Sequence, residues 1–194
     1  ILYNRAAKGY CSVLNDDYNI GNKAMSHFIK RGHKKFGIIS PNYSSRALSL
    51  RTVGYLDRFN SQNFNSDDAF VLPVIFCEDN DTGGYNAMQQ LLGSSKLPTA
   101  LFIPSDNMIS AIVRCIQDNG YKIPEDFEII SYGNRLINRI LQPGITSFEP
   151  SYEEMSNNSI MLLHNEITGG SAAMDNVKLI FEGRCVFRES CPEV

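Results

Sequence analysis

The sequence contains no apolar run approaching the ~18 residues that a membrane-crossing helix needs. It shows no basic start followed by an apolar stretch and a cleavage site, so no secretion signal is visible. It also has no C-x-x-C pair. The five cysteines, Cys11, Cys77, Cys115, Cys185 and Cys191, are scattered and odd in number, which argues against a disulfide framework and for a reduced, cytoplasmic setting. Cys77 and Cys115 fall in apolar stretches, where a free thiol packs as a small hydrophobe. The only histidines, His27, His33 and His164, lack metal-ligand spacing, so neither a metal nor another cofactor is expected. There is no basic excess either: the net charge is -3. The densest basic stretch, Lys30-Arg31-Gly32-His33-Lys34-Lys35, reads as the charged end of a helix and the turn after it, not as a phosphate-binding patch. His33 reads as a turn or packing residue. No G-x-S-x-G elbow, P-loop or H-E-x-x-H occurs. Without a nucleophile or a poised histidine beside the acidic residues, binding is a simpler account than catalysis, and the chain is read as a non-enzyme.

What is present is an ordinary globular composition, 43% hydrophobic and 20% charged over 194 residues, enough for one domain or two small lobes. The centre alternates strand and helix. Strands are expected at 36–40, 70–76 (irregular, because of Pro73), 100–103 and 128–131. Helices are expected from about 46 to 59, from Thr82 as N-cap to Leu92, and from Ser105-Asp106 to about 119. That order implies β-α-β units, a parallel sheet, and ligands outside the carboxyl ends of its strands. The flanks add a strand at 12–14, a helix from about Tyr18 to Arg31, a strand at 145–148, and a helix opened by a Ser151/Glu154 capping box. Residues 177–188 read as a hairpin around Glu182-Gly183.

Several strings resemble those of the lactose-repressor (LacI/GalR) family of transcription regulators. They are Gly32-His33-Lys34-Lys35-Phe36-Gly37-Ile38-Ile39, Arg51-Thr52-Val53-Gly54-Tyr55, Pro98-Thr99-Ala100-Leu101-Phe102 with Ser105-Asp106-Asn107, Gly120-Tyr121-Lys122-Ile123-Pro124-Glu125-Asp126 with Ile129-Ile130-Ser131-Tyr132-Gly133, and Pro143-Gly144-Ile145-Thr146-Ser147. Their order and spacing carry the likeness. It implies an α/β fold of the periplasmic-binding-protein-like type I, with parallel sheets flanked by helices in two lobes joined by three crossings. It also implies a homodimer that senses a small molecule, with DNA reached through a domain outside this chain. The first β-α-β-α portion of the family's N-terminal lobe has no counterpart, so that lobe is expected to be incomplete. Residues 1–32 and 134–175 are assigned to it, and residues 33–133 and 176–194 to the C-terminal lobe. The dimer contact is expected on the C-terminal lobe, with the apolar residues of helix 106–119 and the strand near 128 as candidates.

Arg51 and Asp106 are the leading ligand residues. A guanidinium can donate two parallel hydrogen bonds, and a carboxylate can accept two hydroxyls. Ser105 can serve as helix cap and free Asp106 for that task. Asp79, Asn80 and Asp81 precede the Thr82 helix, Ser44, Ser45 and Arg46 follow the first central strand, and Asn134 sits at a lobe crossing. All of these are candidates at the strand ends, and any of them can equally be a turn residue. Gly133 stands where the family usually has an acidic residue. The function implied is sensing of a sugar or related small molecule by a DNA-binding regulator. A solute-binding protein of a sugar transport system is the alternative, with the same fold.

Overall fold

A computed structural model of the chain describes residues 1–42, 46–62, 64, 69–168 and 177–194. Two sheets organise it. The smaller has strands β1 (Leu2–Tyr3), β2 (Ser12–Asn15) and β9 (Lys178–Phe181), all parallel, in the order β1-β2-β9. The larger has β3 (Lys35–Pro41), β4 (Phe70–Val71), β5 (Ile75–Cys77), β6 (Ala100–Ile103), β7 (Glu128–Tyr132), β8 (Thr146–Glu149) and β10 (Arg184–Val186), in the order β10-β8-β7-β6-β3-β4, with β5 also on β3. Its pairs are parallel except β10 with β8. The helices are α1 (Asp17–Lys30), α2 (Arg46–Asn60), α3 (Asp81–Leu92), α4 (Ile109–Asp118), the short α5 (Ile137–Ile140) and α6 (Tyr152–Ile167).

The central strands are buried along their length because helices cover both sheet faces. In β6, Ala100 and Phe102 join the core under α1 and α2, while Leu101 and Ile103 join the core under α3 and α4. Met108, Ile109, Ile112, Val113 and Ile116, the apolar set of helix 106–119, are at most 1% exposed in that second core. They are spent within the chain, so the expectation that they form a dimer face is corrected. The same holds for Ile129 and Ile130 of β7, which are fully buried.

Four further expectations change. The 70–76 strand is two pieces, broken at Leu72-Pro73-Val74, and both pair with β3. Thr82 is not the cap of α3. Asn80 is, its extended backbone placing Oδ1 2.8 Å from the Gly83 N–H. The Ser151 hydroxyl makes no capping bond and donates instead to the Glu182 carbonyl at 2.6 Å. No hairpin forms at 177–188: β9 continues the small sheet and β10 the large one, with the chain crossing between them. A Cβ on Gly183 at that crossing would lie 2.7 Å from the Glu149 carbonyl, so the close passage needs glycine.

Helix α1 and strand β8, expected with the N-terminal lobe, pack with the larger sheet instead. The chain therefore leaves the small sheet at Asn15, returns after Glu149 and leaves again after Phe181. A small core of Val13, Met155 and Leu162 joins α6 to the small sheet. Helices α1 and α2 touch backbone to backbone: a Cβ on Gly21 would lie 1.9 Å from the Arg51 carbonyl, and one on Gly54 2.0 Å from that of Tyr18. Gly54 is thus a contact surface within α2. The basic turn after α1 is tied inward. Arg31 grips Glu128 with two 2.5 Å hydrogen bonds, His33 lies 3.0 Å from the same carboxylate, and the Cys191 thiol is 3.2 Å away. Burial works against ionisation of Glu128, but those donors outweigh it and hold the carboxyl at about 2.

Candidate functional site

The glycine-mediated contact of α1 and α2 brings the first turn of α1 against the second turn of α2. There Arg51 Nε donates to Asp17 Oδ1 at 2.7 Å and Nη1 to the Pro104 carbonyl at 2.6 Å. Its guanidinium carbon lies 3.3 Å from the centre of the Tyr132 ring, a cation–π contact. Arg51 and Asp17 are each 5% exposed. Burial raises the Asp17 carboxyl above its ordinary range, and the Arg51 charge and hydrogen bond oppose that rise. Three strand ends thus converge on one side chain: β6 through Pro104, β7 through Tyr132, and the crossing from β2 through Asp17.

Asp106 lies beside this group. Ser105 is indeed the cap of the short 3-10 turn Asp106–Met108. The Asp106 carboxylate is nevertheless occupied, accepting from Arg135 N at 3.0 Å and Asn138 Nδ2 at 3.1 Å. Burial raises its pKa, against hydrogen bonds from Arg135, Ser131 and Asn138. Gly133 has φ +130°, and a Cβ there would stand 2.8 Å from Asp106 Oδ2. A glycine at this position is what lets the end of β7 close over Asp106. Burial raises the pKa of the Tyr152 hydroxyl at the start of α6, with Tyr3 and Asp106 adding to the rise and Arg51 and Arg135 opposing it.

The other predicted residues are distributed as follows. Asp79 accepts from Ser105 Oγ at 2.7 Å and Asn107 Nδ2 at 2.9 Å, so it ties the loop after β5 to the loop after β6. Asn80 is turned into α3 as its cap, and Asp81 accepts from Ser110 Oγ at 2.7 Å. Asn134, at φ +46°, is held at the crossing by Glu149 (3.0 Å) and Arg188 (2.6 Å). Ser44 and Ser45 lie outside the described residues. Arg46 borders a cavity of about 580 Å3 whose walls also include Asn4, Arg5, Leu14, Asn15, Asp17 and Leu50. Arg51 is thus tied to the loop after β6 at Pro104, two residues before Asp106, and Asp79 is tied to the same loop at Ser105. Asn80 and Asn134 are committed elsewhere.

Sequence reasoning missed Asp17, Asn138, Asn4, Arg5 and Asn15. Asp17 had a signal: two successive acids open α1, and only Asp16 is needed as cap, its Oδ1 accepting from Asn19 N at 3.1 Å. The asparagines and Arg5 had none.

Comparison with known proteins agrees with this architecture. Residues 25–191 match the periplasmic binding protein-like domain. The chain belongs to that family. Among curated relatives, the NTD biosynthesis operon regulator NtdR of Bacillus subtilis is 25% identical over 175 residues, 90% of this chain and 52% of that protein. The HTH-type transcriptional repressor PurR of Haemophilus influenzae is 32% identical over 155 residues, 79% and 45% respectively. The chain spans about half the length of the curated relatives it matches. Among solved structures, a LacI family transcription regulator from Clostridium acetobutylicum superposes with a TM-score of 0.84 at 25% identity, covering 96% of this chain and 68% of that one. One from Enterococcus faecalis, with bound ribose, gives 0.82 at 22%, covering 98% and 66%. This periplasmic binding protein-like chain thus shares its fold with LacI-family regulators. Among its described residues no helix is long and apolar enough to cross a membrane.

Proposed function

We propose that this chain is the effector-sensing part of a cytoplasmic LacI-type transcription regulator and that the cleft around Arg51 and Asp106 receives a sugar-like small molecule. The observation that carries this reading is the fixation of Arg51 by Asp17, the Pro104 carbonyl and the Tyr132 ring. A guanidinium locked in this way presents its remaining N–H groups without an ordering cost. Asp106, held by Arg135 and Asn138, supplies an equally fixed acceptor. The relatives are named as regulators, and one structural neighbour holds ribose. Polar groups preset in a cleft between two sheets suit binding.

Ligand held by both sheets would favour one relative orientation of the two lobes, and so the spacing of DNA-contacting heads in a homodimer. The dimer would form through the C-terminal lobe, by outward residues rather than by the buried face of α4. DNA contact would belong to a part of the regulator beyond these residues. Asp79, and Arg46 at the edge of the cleft, would support the ligand; Ser45 is kept as a candidate from its position in the sequence.

The test is isothermal titration of the regulator with a panel of sugars and nucleobases, followed by Arg51→Lys and Asp106→Asn titrated with the best binder. A loss of about tenfold or more in each is expected, one charge-assisted hydrogen bond being worth that much. Unchanged affinity in both variants overturns the site.

A further inference from the structure

The cavity of about 580 Å3 beside Arg51 carries more information than its position. Its walls come from the ends of β1 and β2, the first turns of α1 and α2, and Ile180 of β9. One side is apolar, with Ala6, Leu14, Leu50 and Ile180. The polar remainder is unevenly satisfied. Both carboxylates on the wall are committed, Asp17 to Arg51 and Asp16 to the α1 N-terminus. The Tyr18 hydroxyl donates to Asp57 at 3.1 Å. The two cations are not committed: among the described residues, the exposed Arg5 and Arg46 guanidiniums make no hydrogen bond or ion pair. The Asn15 amide is equally underused. The residue is 6% exposed, its Nδ2 reaches Asn4 Oδ1 only at 3.4 Å, and its Oδ1 has no partner.

We propose that the effector is an anionic polyol, a sugar or sugar acid whose phosphate or carboxylate is received by Arg5 and Arg46. This rests on the reading of the cleft as an effector site and specifies which effector. Two guanidiniums without hydrogen-bond partners stand on one cavity whose Asp17 is paired with Arg51; with Arg51 behind the wall, three guanidiniums face the two carboxylates Asp16 and Asp17. Guanidinium forks match the planar or tetrahedral oxygens of such anions. The first turn of α2 adds the positive end of a 15-residue helix on the same side. The apolar strip of Leu14, Leu50 and Ile180 suits the carbon face of a polyol. The Asn4–Asn15 amide pair, weakly bonded to itself, can exchange its 3.4 Å contact for shorter bonds to hydroxyls.

The experiment is a 1H–15N NMR titration of the 194-residue chain, following arginine Nε–Hε resonances. Inorganic phosphate and acetate serve as the anion probes, and D-glucose and D-ribose as neutral controls. Saturable shifts of Arg5 and Arg46 by phosphate, acetate or both are expected, while the exposed Arg114 and Arg184 serve as surface references. Arg5→Gln and Arg46→Gln should each weaken the stronger probe by about tenfold. Both side chains are exposed, so both variants keep the fold, which a matching amide spectrum verifies. Response to phosphate over acetate identifies a phosphate ester, and the reverse identifies a sugar acid. If neither anion gives saturable shifts, or if shifts spread evenly over all exposed arginines, the proposal is overturned. In that event, neutral sugars that still shift Arg51 Nε–Hε and the Asn15 amide leave the effector reading standing. A cleft silent to all four probes removes both.

Discussion

Cutting the tie between Arg51 and Asp17 should cost the protein far more than losing both residues. In Arg51→Met the Asp17 carboxylate, 5% exposed, keeps its charge and loses its 2.7 Å partner. Removing one member of a buried pair costs about 3–5 kcal/mol, because the survivor is an uncompensated buried charge. The Pro104 carbonyl loses a 2.6 Å donor as well. For a chain of this size, that loss lowers the midpoint of thermal unfolding by about 10 °C. Asp17→Asn/Arg51→Met removes both charges and should recover most of the loss, leaving about 1–2 kcal/mol for the unpaired carbonyl and the bare Tyr132 ring. The single variant also acquires a pH signature. The folded-state pKa of Asp17 is already raised by burial, against the pull of Arg51, and without that pull it rises further. A raised folded pKa means stability that is full below the unfolded value, near 3.8, and is lost as pH rises through the folded pKa. Arg51→Met should therefore be closer to wild type in mildly acidic buffer than at pH 7. Urea unfolding followed by circular dichroism at both pH values measures all of this. Equal destabilisation of the single and double variants, or a loss independent of pH, would refute the reasoning.

Glu128 should show the opposite pH behaviour. Its folded pKa is depressed to about 2 from 4.5, so its contribution, on the order of 3 kcal/mol, is present above pH ~4.5 and fades as pH falls towards 2. In Glu128→Gln, the acid limb of a stability-against-pH curve should flatten over that window. Ile112→Ala, in the core beneath α3 and α4, should destabilise by about 2–5 kcal/mol without altering the sedimentation coefficient; a shift from dimer to monomer at unchanged stability would restore helix 106–119 as an interface.

Much of the fold was legible because it is local. The strands at 36–40, 100–103 and 128–131 are short apolar runs between helices of clear period, and each appears within a residue or two. The ends of α1 and α4 were marked by Gly32 and Gly120, both at positive φ. Legibility failed where the partner is distant in sequence. The runs at 178–181 and 184–186 look like a hairpin because nothing in either states which sheet it joins. Ser151 has the spacing of a capping box, yet the Glu182 carbonyl, brought near only by folding, takes its hydroxyl. The lobe boundary was misplaced for the same reason: the apolar stripe of α1 can serve either sheet, and only packing against Phe36, Tyr55 and Phe102 assigns it.

The sequence by itself determined the alternation of strand and helix, the parallel sheet and the family likeness. Periodicity and motif spacing record what each segment buries. Tertiary structure alone decided which groups hold Arg51. Asp17 lies 34 residues away and meets Arg51 because Gly21 and Gly54 let two helices touch, and Pro104, 53 residues away, meets it at the end of β6. The same helix contact closes one wall of the cavity where Arg5 and Arg46 stand without hydrogen-bond partners among the described residues. Charge and hydrogen bonding act through space over a few ångströms, and distance along the chain does not report which groups come within that range.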